Sequence, residues 1–405
     1  AALAEAVIGV ATTLRRQSSR NSMASRRAAG AFALAVFPCW AASEAYQCSS
    51  DVGMGVVEAP SQKGLAVDDI SYRYCSDRVP TFWPNTQERV STLRLFKAWD
   101  PLWNETGRWG AWNNLKAFVK RNSARVLVST QVTCNEAEDT KAWKWTKELL
   151  QLLGPKHVMG LAIGNELELL FTQKAVPPQC VRHLWDEGHF WARFSSTVAE
   201  FDGMGFEGIP LTSAFGGLAL AGNPFFEVPG KALVNSFLAN ASRLYQKRFA
   251  FTWNIYPYFD QKMHMDPGSP GTCHMALEQS VCMMPNCNVP TMTTLYRQKM
   301  QQLTGAQDNL MWIGETGWSS PKSGGLTTDM KGCEQWSASS ALFSFYRNFL
   351  YWDLKIGGAQ RPPDHVFYFT IRDSSTFGVG EHFGLIKTCE DMECKIQTEK
   401  NLWQV

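Results

Sequence analysis

The sequence predicts a single (β/α)8 barrel, the TIM-barrel architecture, with long loops cross-linked by disulfides. Two observations lead to this fold class. Short apolar runs rich in β-branched and aromatic residues alternate with helix-length segments whose apolar residues recur three and four positions apart. Each apolar run is nearly continuous, which is typical of strands in a parallel sheet buried on both faces. Eight such runs fit a closed barrel.

An open doubly wound sheet is the alternative arrangement of the same elements. Its phosphate-binding signature, G-x-G-x-x-G after the first strand, is missing because Glu58 stands where the third glycine would follow Gly53 and Gly55. The 405 residues could hold two or three average domains, but an α/β barrel commonly uses 250 residues or more as one. We therefore predict one barrel domain over residues 46–405.

The apolar patterns predict the individual elements in chain order. Strands are expected at residues 52–57, 91–96, 125–132, 157–163, 208–212, 249–256, 310–314 and 365–371. Helices are expected at residues 112–122, 137–153, 181–201, 232–247, 292–303 and 336–351. Gly154 followed by Pro155 should end the second helix. The long insertions around residues 59–90 and 260–290 are interpreted as loops.

Residues 1–45 are predicted to be a leader region that contains a secretory signal peptide. From Met23 the segment reads M-A-S-R-R, and the 15 residues that follow, 28–42, carry no charge. Ser43 and Ala45 then offer a small-residue cleavage site. The run is shorter than the roughly 18–20 residues that span a bilayer, so no stable membrane span is expected. We expect a secreted protein, extracellular or in the cell wall.

The charge distribution argues against nucleic acid as a partner. The whole chain carries a formal charge of +2, but residues 1–45 hold five arginines and two glutamates, so the remainder carries −1. A nucleic-acid-binding domain would need clustered lysines and arginines on its folded surface. The composition, 45% hydrophobic and 19% charged, also excludes a disordered chain.

Cysteine usage fits an exported protein. Removal of the leader would take away Cys39 and leave ten of the 11 cysteines, an even number for which disulfides are the default. Sequence proximity suggests only neighbours such as Cys389 and Cys394 as partners. Asn104 and Asn240 lie in N-x-S/T motifs and are candidate glycan acceptors.

A second group of cysteines offers a zinc site as an alternative to disulfides. Three cysteines and two histidines lie close together in the sequence: Cys273, Cys282, Cys287, His264 and His274. Their spacing lacks the paired C-x-x-C pattern of structural zinc sites. A disulfide-linked loop is therefore favoured, and no metal is assigned.

Two glutamates end strands that otherwise tolerate no charge. Glu166 closes L-A-I-G-N-E, and Glu315 follows M-W-I-G. Polar residues at the carboxyl ends of barrel strands lie at the mouth, on rigid backbone. Cleavage of a glycosidic bond requires two carboxyl groups across a cleft, one to donate a proton and one to attack the anomeric carbon. A buried salt bridge with a barrel arginine is the structural alternative for each.

Four short motifs follow the predicted strands in order. They are I-G-N-E at 163–166, N-I-Y-P-Y-F at 254–259, G-E-T-G-W-S-S at 314–320 and E-H-F-G-L at 381–385. Together they resemble the family 17 glycoside hydrolases, the β-1,3-glucanases and related glucanosyltransferases, over roughly residues 52–390. The stretch around Glu315 is the most specific, because Asn-Glu is shared by the wider clan of retaining (β/α)8-barrel glycosidases.

The resemblance implies a retaining double displacement with Glu315 as nucleophile and Glu166 as general acid and then base. The charge on Glu315 would keep Glu166 protonated, and its loss on esterification would let Glu166 ionise. Retention predicts a carboxyl separation of about 5–5.5 Å. No cofactor or metal is needed. The expected partner is a polysaccharide or oligosaccharide substrate, bound by a monomer.

The resemblance also implies substrate-binding residues. Asn165 would hydrogen-bond the sugar 2-hydroxyl, with capping of the loop as its alternative. Tyr256 would donate to the nucleophile, with a place in the core as its alternative. Trp318 and Trp99 are candidates for stacking on sugar rings, although most of the 16 tryptophans must be core. Glu168 is expected to be a loop or helix-start residue.

The sequence departs from the family pattern at three places. Ser319 stands where many members have proline, the predicted first strand reads G-V-V-E instead of G-V-x-Y-G, and residues 372–380 lack acidic and lysine positions common in plant members. The catalytic pair is untouched. These departures leave open the glucan linkage and the choice between endo and exo cleavage.

The leading hypothesis is a secreted hydrolase of β-1,3-glucan. A β-1,3-glucanosyltransferase with the same residues is a close alternative, in which a sugar replaces water as acceptor. A cellulase or mannanase of another family in the clan is a further enzyme alternative. A non-catalytic glucan-binding wall protein on the same scaffold belongs to a different class.

Overall fold

The computed structural model describes residues 48, 53–171, 176–217, 231–257, 270–319, 334–373 and 382–396. The predicted leader lies outside these residues. Across the described ranges, no helix combines the length and apolarity needed to cross a membrane.

Eight parallel strands form a closed barrel, in which each strand pairs with the next and the eighth pairs with the first. The strands are β1 (Lys63–Val67), β2 (Thr92–Leu95), β3 (Arg125–Thr130), β4 (Val158–Asn165), β5 (Leu211–Gly216), β6 (Ala250–Asn254), β7 (Leu310–Thr316) and β8 (His365–Phe369). With helices between the strands, the predicted (β/α)8 fold is confirmed.

The helices lie between successive strands along the chain. They are α1 (Asp69–Tyr74), α2 (Arg108–Asn122), α3 (Glu136–Leu153), α4 (Pro178–Leu184), α5 (His189–Gly203), α6 (Lys231–Tyr245), α7 (Pro270–Val281), α8 (Asn288–Thr304) and α9 (Ser339–Tyr351). The helix predicted at 181–201 is two helices, because the chain turns at Gly188 with φ of 76°. Gly154 ends α3 as predicted. The 260–290 insertion contains α7 rather than loop alone.

The first strand is the one strand that the sequence misplaces. Residues 53–57 are not a strand, and Val56 is 67% exposed. β1 lies instead inside the 59–90 insertion, where α1 follows it. Lys63 obscured the apolar pattern of K-G-L-A-V, yet it is fully buried, with Nζ donating to the backbone carbonyls of Glu58, Leu350 and Trp352. Three acceptors match the three donors of an ammonium group.

Two hydrophobic layers enclose the sheet. One packs the helices against the outside of the barrel. The other joins small and large apolar side chains from six strands: Ala66, Leu127, Met159, Ala162, Ala250, Trp312 and Phe367. Since residues alternate across a strand, Arg94 lies on the opposite side of β2 from its buried neighbours Leu93 and Leu95.

Disulfides join distant parts of the chain. The described pairs are Cys48–Cys394, Cys75–Cys389, Cys134–Cys180 and Cys282–Cys287. The suggested pairing of Cys389 with Cys394 is wrong, because the fold brings each beside a residue more than 300 positions earlier. Two links therefore hold the carboxyl-terminal segment to the start of the described chain.

The disulfides also decide the state of the cysteine-rich loop. Cys282 and Cys287 bond to each other, and Cys273 is disulfide-bonded as well. These sulfurs are therefore not thiolates that could ligate zinc. The alternative zinc site also included His264 and His274. Of these two, His264 lies outside the described residues.

Candidate active site

The barrel brings Glu166 and Glu315 together. Glu315 lies in β7 and Glu166 directly follows β4. Nδ2 of Asn254, the last residue of β6, donates to Oε1 of Glu166 at 2.9 Å and to Oε1 of Glu315 at 2.9 Å. The two Oε1 atoms are therefore no more than twice 2.9 Å apart. This upper limit, for one oxygen of each carboxyl group, is compatible with the carboxyl separation of about 5–5.5 Å found in retaining glycosidases.

The I-G-N-E sequence turns the chain sharply at the end of β4. Gly164 has φ of 78° and Glu166 has φ of 51°, so the turn uses left-handed backbone twice. Gly164 tolerates this conformation because it has no Cβ, and a Cβ there would also lie 2.8 Å from Cδ1 of Leu167. The amide of Glu166 donates to the carbonyl of Ala214 at 2.8 Å, which holds the turned residue against β5.

Arg94 is a central site residue that sequence reasoning missed. It is fully buried in β2. Its Nη1 donates to Oδ1 of Asn254 at 3.0 Å and to Oε1 of Glu315 at 3.1 Å, while Nη2 donates to Oδ1 of Asn165 at 2.7 Å. One guanidinium thus orients side chains from β4, β6 and β7. A lone charge inside the apolar run 91–96 was the available signal.

Glu315 accepts hydrogen bonds on both carboxylate oxygens. Tyr256 donates its hydroxyl to Oε2 at 2.7 Å, while Asn254 and Arg94 donate to Oε1. The hydrogen bond expected of Tyr256 is present in the structure. Donors on both oxygens favour the ionised form of the carboxyl group and fix its orientation.

The two glutamates differ in their electrostatic surroundings. Burial raises the pKa of Glu166 to about 7, with a further contribution from the negative charge of Glu315. Burial also raises the pKa of Glu315, but the positive charge of Arg94 and the hydrogen bonds from Tyr256 and Asn254 oppose that rise. Glu166 is therefore the carboxyl suited to hold a proton near neutral pH, beside an ionised Glu315.

Asn165 joins the same network from the end of β4. Its Oδ1 accepts from Arg94 and, at 3.3 Å, from Nδ2 of Asn254. The residue is exposed, unlike buried Asn254 and Arg94. An incoming hydroxyl group can therefore reach Asn165, whose amide orientation is set by the buried arginine.

The two predicted stacking tryptophans are core residues in this structure. Trp318 is 0% exposed, stacks on Trp336 with ring centroids 5.0 Å apart, and donates Nε1 to the Trp336 carbonyl at 3.1 Å. Trp99 is 1% exposed and packs edge-on against Tyr72 and Trp103. As packed here, neither indole has a face open to a sugar ring, so neither enters the proposal below.

Glu168 lies at the start of a 3-10 helix, Leu167–Phe171, in agreement with the predicted loop or helix-start position. It is also completely buried, which the sequence did not indicate. Oε1 accepts from the amide of Gly216, and a Cβ built on Gly216 would lie 2.8 Å from this oxygen and 3.5 Å from Oε1 of Glu166. Burial raises the pKa of Glu168 well above its ordinary value, and the nearby charge of Glu166 adds to the rise. A third, protonated carboxyl group therefore lies beside the site.

The misplaced first strand also changes the residue at its end. Glu58 lies before β1, and Asp68 follows it instead. Oδ1 of Asp68 accepts from the amide of Ser71 at 2.8 Å, and Oδ2 accepts from the hydroxyl of Thr370 at 3.1 Å. Asp68 thus caps α1 and links it to the chain after β8.

No protein-family model and no curated protein matches the chain. Among solved structures, a plant β-glucan endohydrolase is 14% identical, with a TM-score of 0.51 over 76% of this chain and 90% of that chain. A β-glucosidase from Exiguobacterium marinum is 13% identical (TM-score 0.44; 75% and 80% covered), and a family 5 glycoside hydrolase from Streptomyces cattleya is 14% identical (0.42; 86% and 78%). The first likeness shows a shared fold, and the two lower scores add no argument.

Proposed function

We propose that the protein is a retaining glycoside hydrolase in which Glu315 is the nucleophile and Glu166 the acid/base. The observation that carries the proposal is the shared hydrogen-bond donor, Nδ2 of Asn254, which holds the two carboxyl groups at a spacing suited to double displacement. Their contrasting partners support opposite proton states for the two groups.

In the first step, Glu315 attacks the anomeric carbon while Glu166 protonates the departing glycosidic oxygen. The bond to the leaving sugar breaks, and an ester bond to Glu315 forms. Arg94 and Tyr256 keep the attacking carboxylate ionised and aimed until the ester forms. Asn165 is proposed to donate to the sugar 2-hydroxyl, a contact that strengthens in the transition state.

In the second step, Glu166 acts as a base. Esterification removes the charge of Glu315, which is one of the two causes of the raised pKa of Glu166. Glu166 can then ionise and accept a proton from water as the water attacks the anomeric carbon. The ester breaks, Glu315 regains its charge, and the sugar leaves with its original anomeric configuration.

We further propose β-1,3-glucan as the substrate, on the strength of the motifs at 254–259 and 314–320. The plant β-glucan endohydrolase supports only the fold. Disulfides between distant segments support an oxidising, extracellular destination, as does the predicted leader. Hydrolysis by a monomer is the proposed activity, with glycosyl transfer by the same residues as its close alternative.

Azide rescue tests the two catalytic assignments. In Glu166→Ala, the ester on Glu315 should still form from an aryl glucoside with a good leaving group. Azide should then enter from the face that water uses and give the β-glucosyl azide. In Glu315→Gly, azide should occupy the vacated space and give the α-glucosyl azide directly. Rescue with the same anomer in both variants, or full activity in either without azide, would contradict the roles.

A polysaccharide panel tests the substrate. Reducing sugar should be released faster from a β-1,3-glucan than from mixed-linkage glucan, β-1,4-glucan or mannan. Products longer than a supplied oligosaccharide would establish transfer instead of hydrolysis. Tight glucan binding with no turnover at any pH or with any acceptor would favour the non-catalytic alternative.

A further inference from the structure

A histidine and carboxylate cluster lies away from the catalytic glutamates, where three helices begin or end. Glu136 is the first residue of α3, His183 lies in the last turn of α4, and His189 is the first residue of α5. One ligand atom from each residue lies within 4.8 Å of the others. Nε2 of His183 is 3.1 Å and Nδ1 of His189 is 3.8 Å from the same atom, Oε1 of Glu136.

A second carboxylate orients His183. Its Nδ1 lies 3.0 Å from Oε2 of Glu187, on the opposite side of the ring from Glu136. A carboxylate only accepts hydrogen bonds, so Nδ1 donates to Glu187 and Nε2 donates to Glu136, and the proton on Nε2 is the one that a metal ion would displace. A histidine that donates one N–H to a carboxylate while its other nitrogen ligates the ion is the usual outer arrangement of a protein metal site.

The two imidazoles are arranged so that both can turn toward one point. Their rings stack with centroids 4.4 Å apart and an angle of 25° between planes, and their nitrogens converge on one oxygen. Ligand atoms around tetrahedral zinc lie roughly 3.3 Å apart at bond lengths of about 2.0–2.1 Å. Side chains exposed by 40% at His183, 21% at His189 and 63% at Glu136 have room to close the remaining gap.

We propose that Glu136, His183 and His189 bind a divalent transition-metal ion of the zinc type, with water completing the coordination. Two imidazole nitrogens and one carboxylate oxygen suit this class of ion better than Ca²⁺ or Mg²⁺, which favour all-oxygen sites. The metal takes the place of the proton on Nε2 of His183. It bridges the histidines to Glu136 and neutralises the carboxylate.

The position of the site gives the metal a structural role. The disulfide Cys134–Cys180 already joins the segment before α3 to α4. The metal adds a second link, between α3 and α4, and connects both helices to α5. Both α4 and α5 lie in the chain between β4 and β5. This role is independent of the proposed glycosidase chemistry, since none of the three ligands belongs to the Arg94 network.

Zinc binding to the tag-free full-length protein tests the proposal. After removal of metal with a chelator, titration with Zn²⁺ should give one bound ion per chain, and the double variant His183→Ala/His189→Ala should bind none. Glu187→Gln should bind zinc about 10–100-fold more weakly, because it loses the orienting carboxylate. Zinc should also raise the Tm of the wild type by a few degrees at 100-fold excess over Kd, and not that of the double variant.

His274→Ala is the matched control. His274 is exposed and also pairs with a carboxylate, Glu278, at 3.2 Å, so its loss should leave zinc stoichiometry and the Tm rise unchanged. Equal Tm values of wild type and double variant without zinc would show that both fold. Zinc binding that persists in the double variant, or a wild type that binds none and uses the cluster only for ion pairs, would overturn the proposal.

Discussion

Three acidic residues lie close together at the site: Glu168 and Glu315 are buried, Glu166 is partly buried, and their partners differ. Glu315 is paired with Arg94 and accepts from Tyr256. Glu166 accepts from Asn254 among the described contacts, and Glu168 accepts from the backbone of Gly216. Burial alone raises the pKa of a carboxyl group, so the number of nearby donors and cations decides which group can stay ionised.

The contrast between Glu166 and Glu168 leads to a paired prediction. Glu166→Gln should reduce kcat/KM by about 10²–10⁴-fold, since the amide cannot donate a proton to the leaving group or act as a base. Glu168→Gln should stay within a few-fold of wild type, because burial already keeps that carboxyl neutral. Kinetics on a natural glucan, together with Tm values, would check both variants. An equal loss of activity in two well-folded variants would refute the distinction.

The pH dependence of activity follows from the pKa of Glu166. The proposed mechanism requires Glu166 to be protonated and Glu315 to be ionised. Because the pKa of Glu166 is raised to about 7, kcat/KM should fall above that pH, by tenfold for each further unit. A pH profile of kcat/KM measured with a natural glucan would test this. Activity that stays constant up to pH 9 would rule out Glu166 as the acid with this pKa.

At the scale of elements, side chains from β2 and β6 lie so close to the backbone of β7 that a Cβ at one of its positions would clash with them. A Cβ on Gly314 would lie 2.6 Å from Nη1 of Arg94 and 2.8 Å from Oδ1 of Asn254. These are the two atoms whose hydrogen bond connects the guanidinium to the shared donor of the glutamates. The glycine before Glu315 thus leaves the space that the Arg94 network fills.

Gly314→Ala should therefore lower kcat by about 10²-fold, because displacement of the network by about 1 Å would misalign Glu315, the proposed nucleophile. Gly110→Ala is a suitable control, since a Cβ at Gly110 in α2 meets no atom within 4 Å and alanine favours the helix. Steady-state kinetics of both purified variants would decide. Wild-type kcat in Gly314→Ala would show that the network can shift without effect.

At the scale of the whole molecule, closure of the barrel buries polar groups at the joint between its first and last strands. β8 pairs with β1, and His365 at the start of β8 contacts Oγ1 of Thr92 in β2 at 2.7 Å. Burial lowers the pKa of His365 to about 3, and the charge of Arg125 contributes. The folded protein therefore holds this histidine neutral where the unfolded chain would protonate it.

This histidine should make stability depend on pH. Between its unfolded pKa of about 6.5 and its folded pKa of about 3, the unfolded state binds one more proton, so stability falls as the pH falls through that range. The free energy of unfolding should fall by about 2 kcal/mol between pH 6.5 and pH 4.5, at about 1.36 kcal/mol per pH unit. Urea unfolding of wild type and His365→Gln at several pH values would reveal the difference. Parallel pH curves for the two proteins would contradict it.

The sequence by itself determined the fold class, seven of the eight strands and the positions of Glu166 and Glu315 at the carboxyl ends of two strands. These features follow from local patterns, because apolar periodicity reports burial and a charge at the end of an apolar run is visible in one dimension. Lys63 obscured the remaining strand, β1. The carbonyls that satisfy its charge come partly from a distant segment, so no local pattern could predict its burial.

Only the tertiary structure decided which residues meet. Arg94 and Asn254 come from β2 and β6, and no local sequence pattern indicates that both donate hydrogen bonds to Glu315. The burial of Trp318 and the bond between Cys48 and Cys394 likewise depend on neighbours brought by the fold. Closure of the sheet places residues from distant strands side by side. The hydrogen bonds and pKa values of the site and the long-range disulfides all depend on distances that the tertiary fold sets.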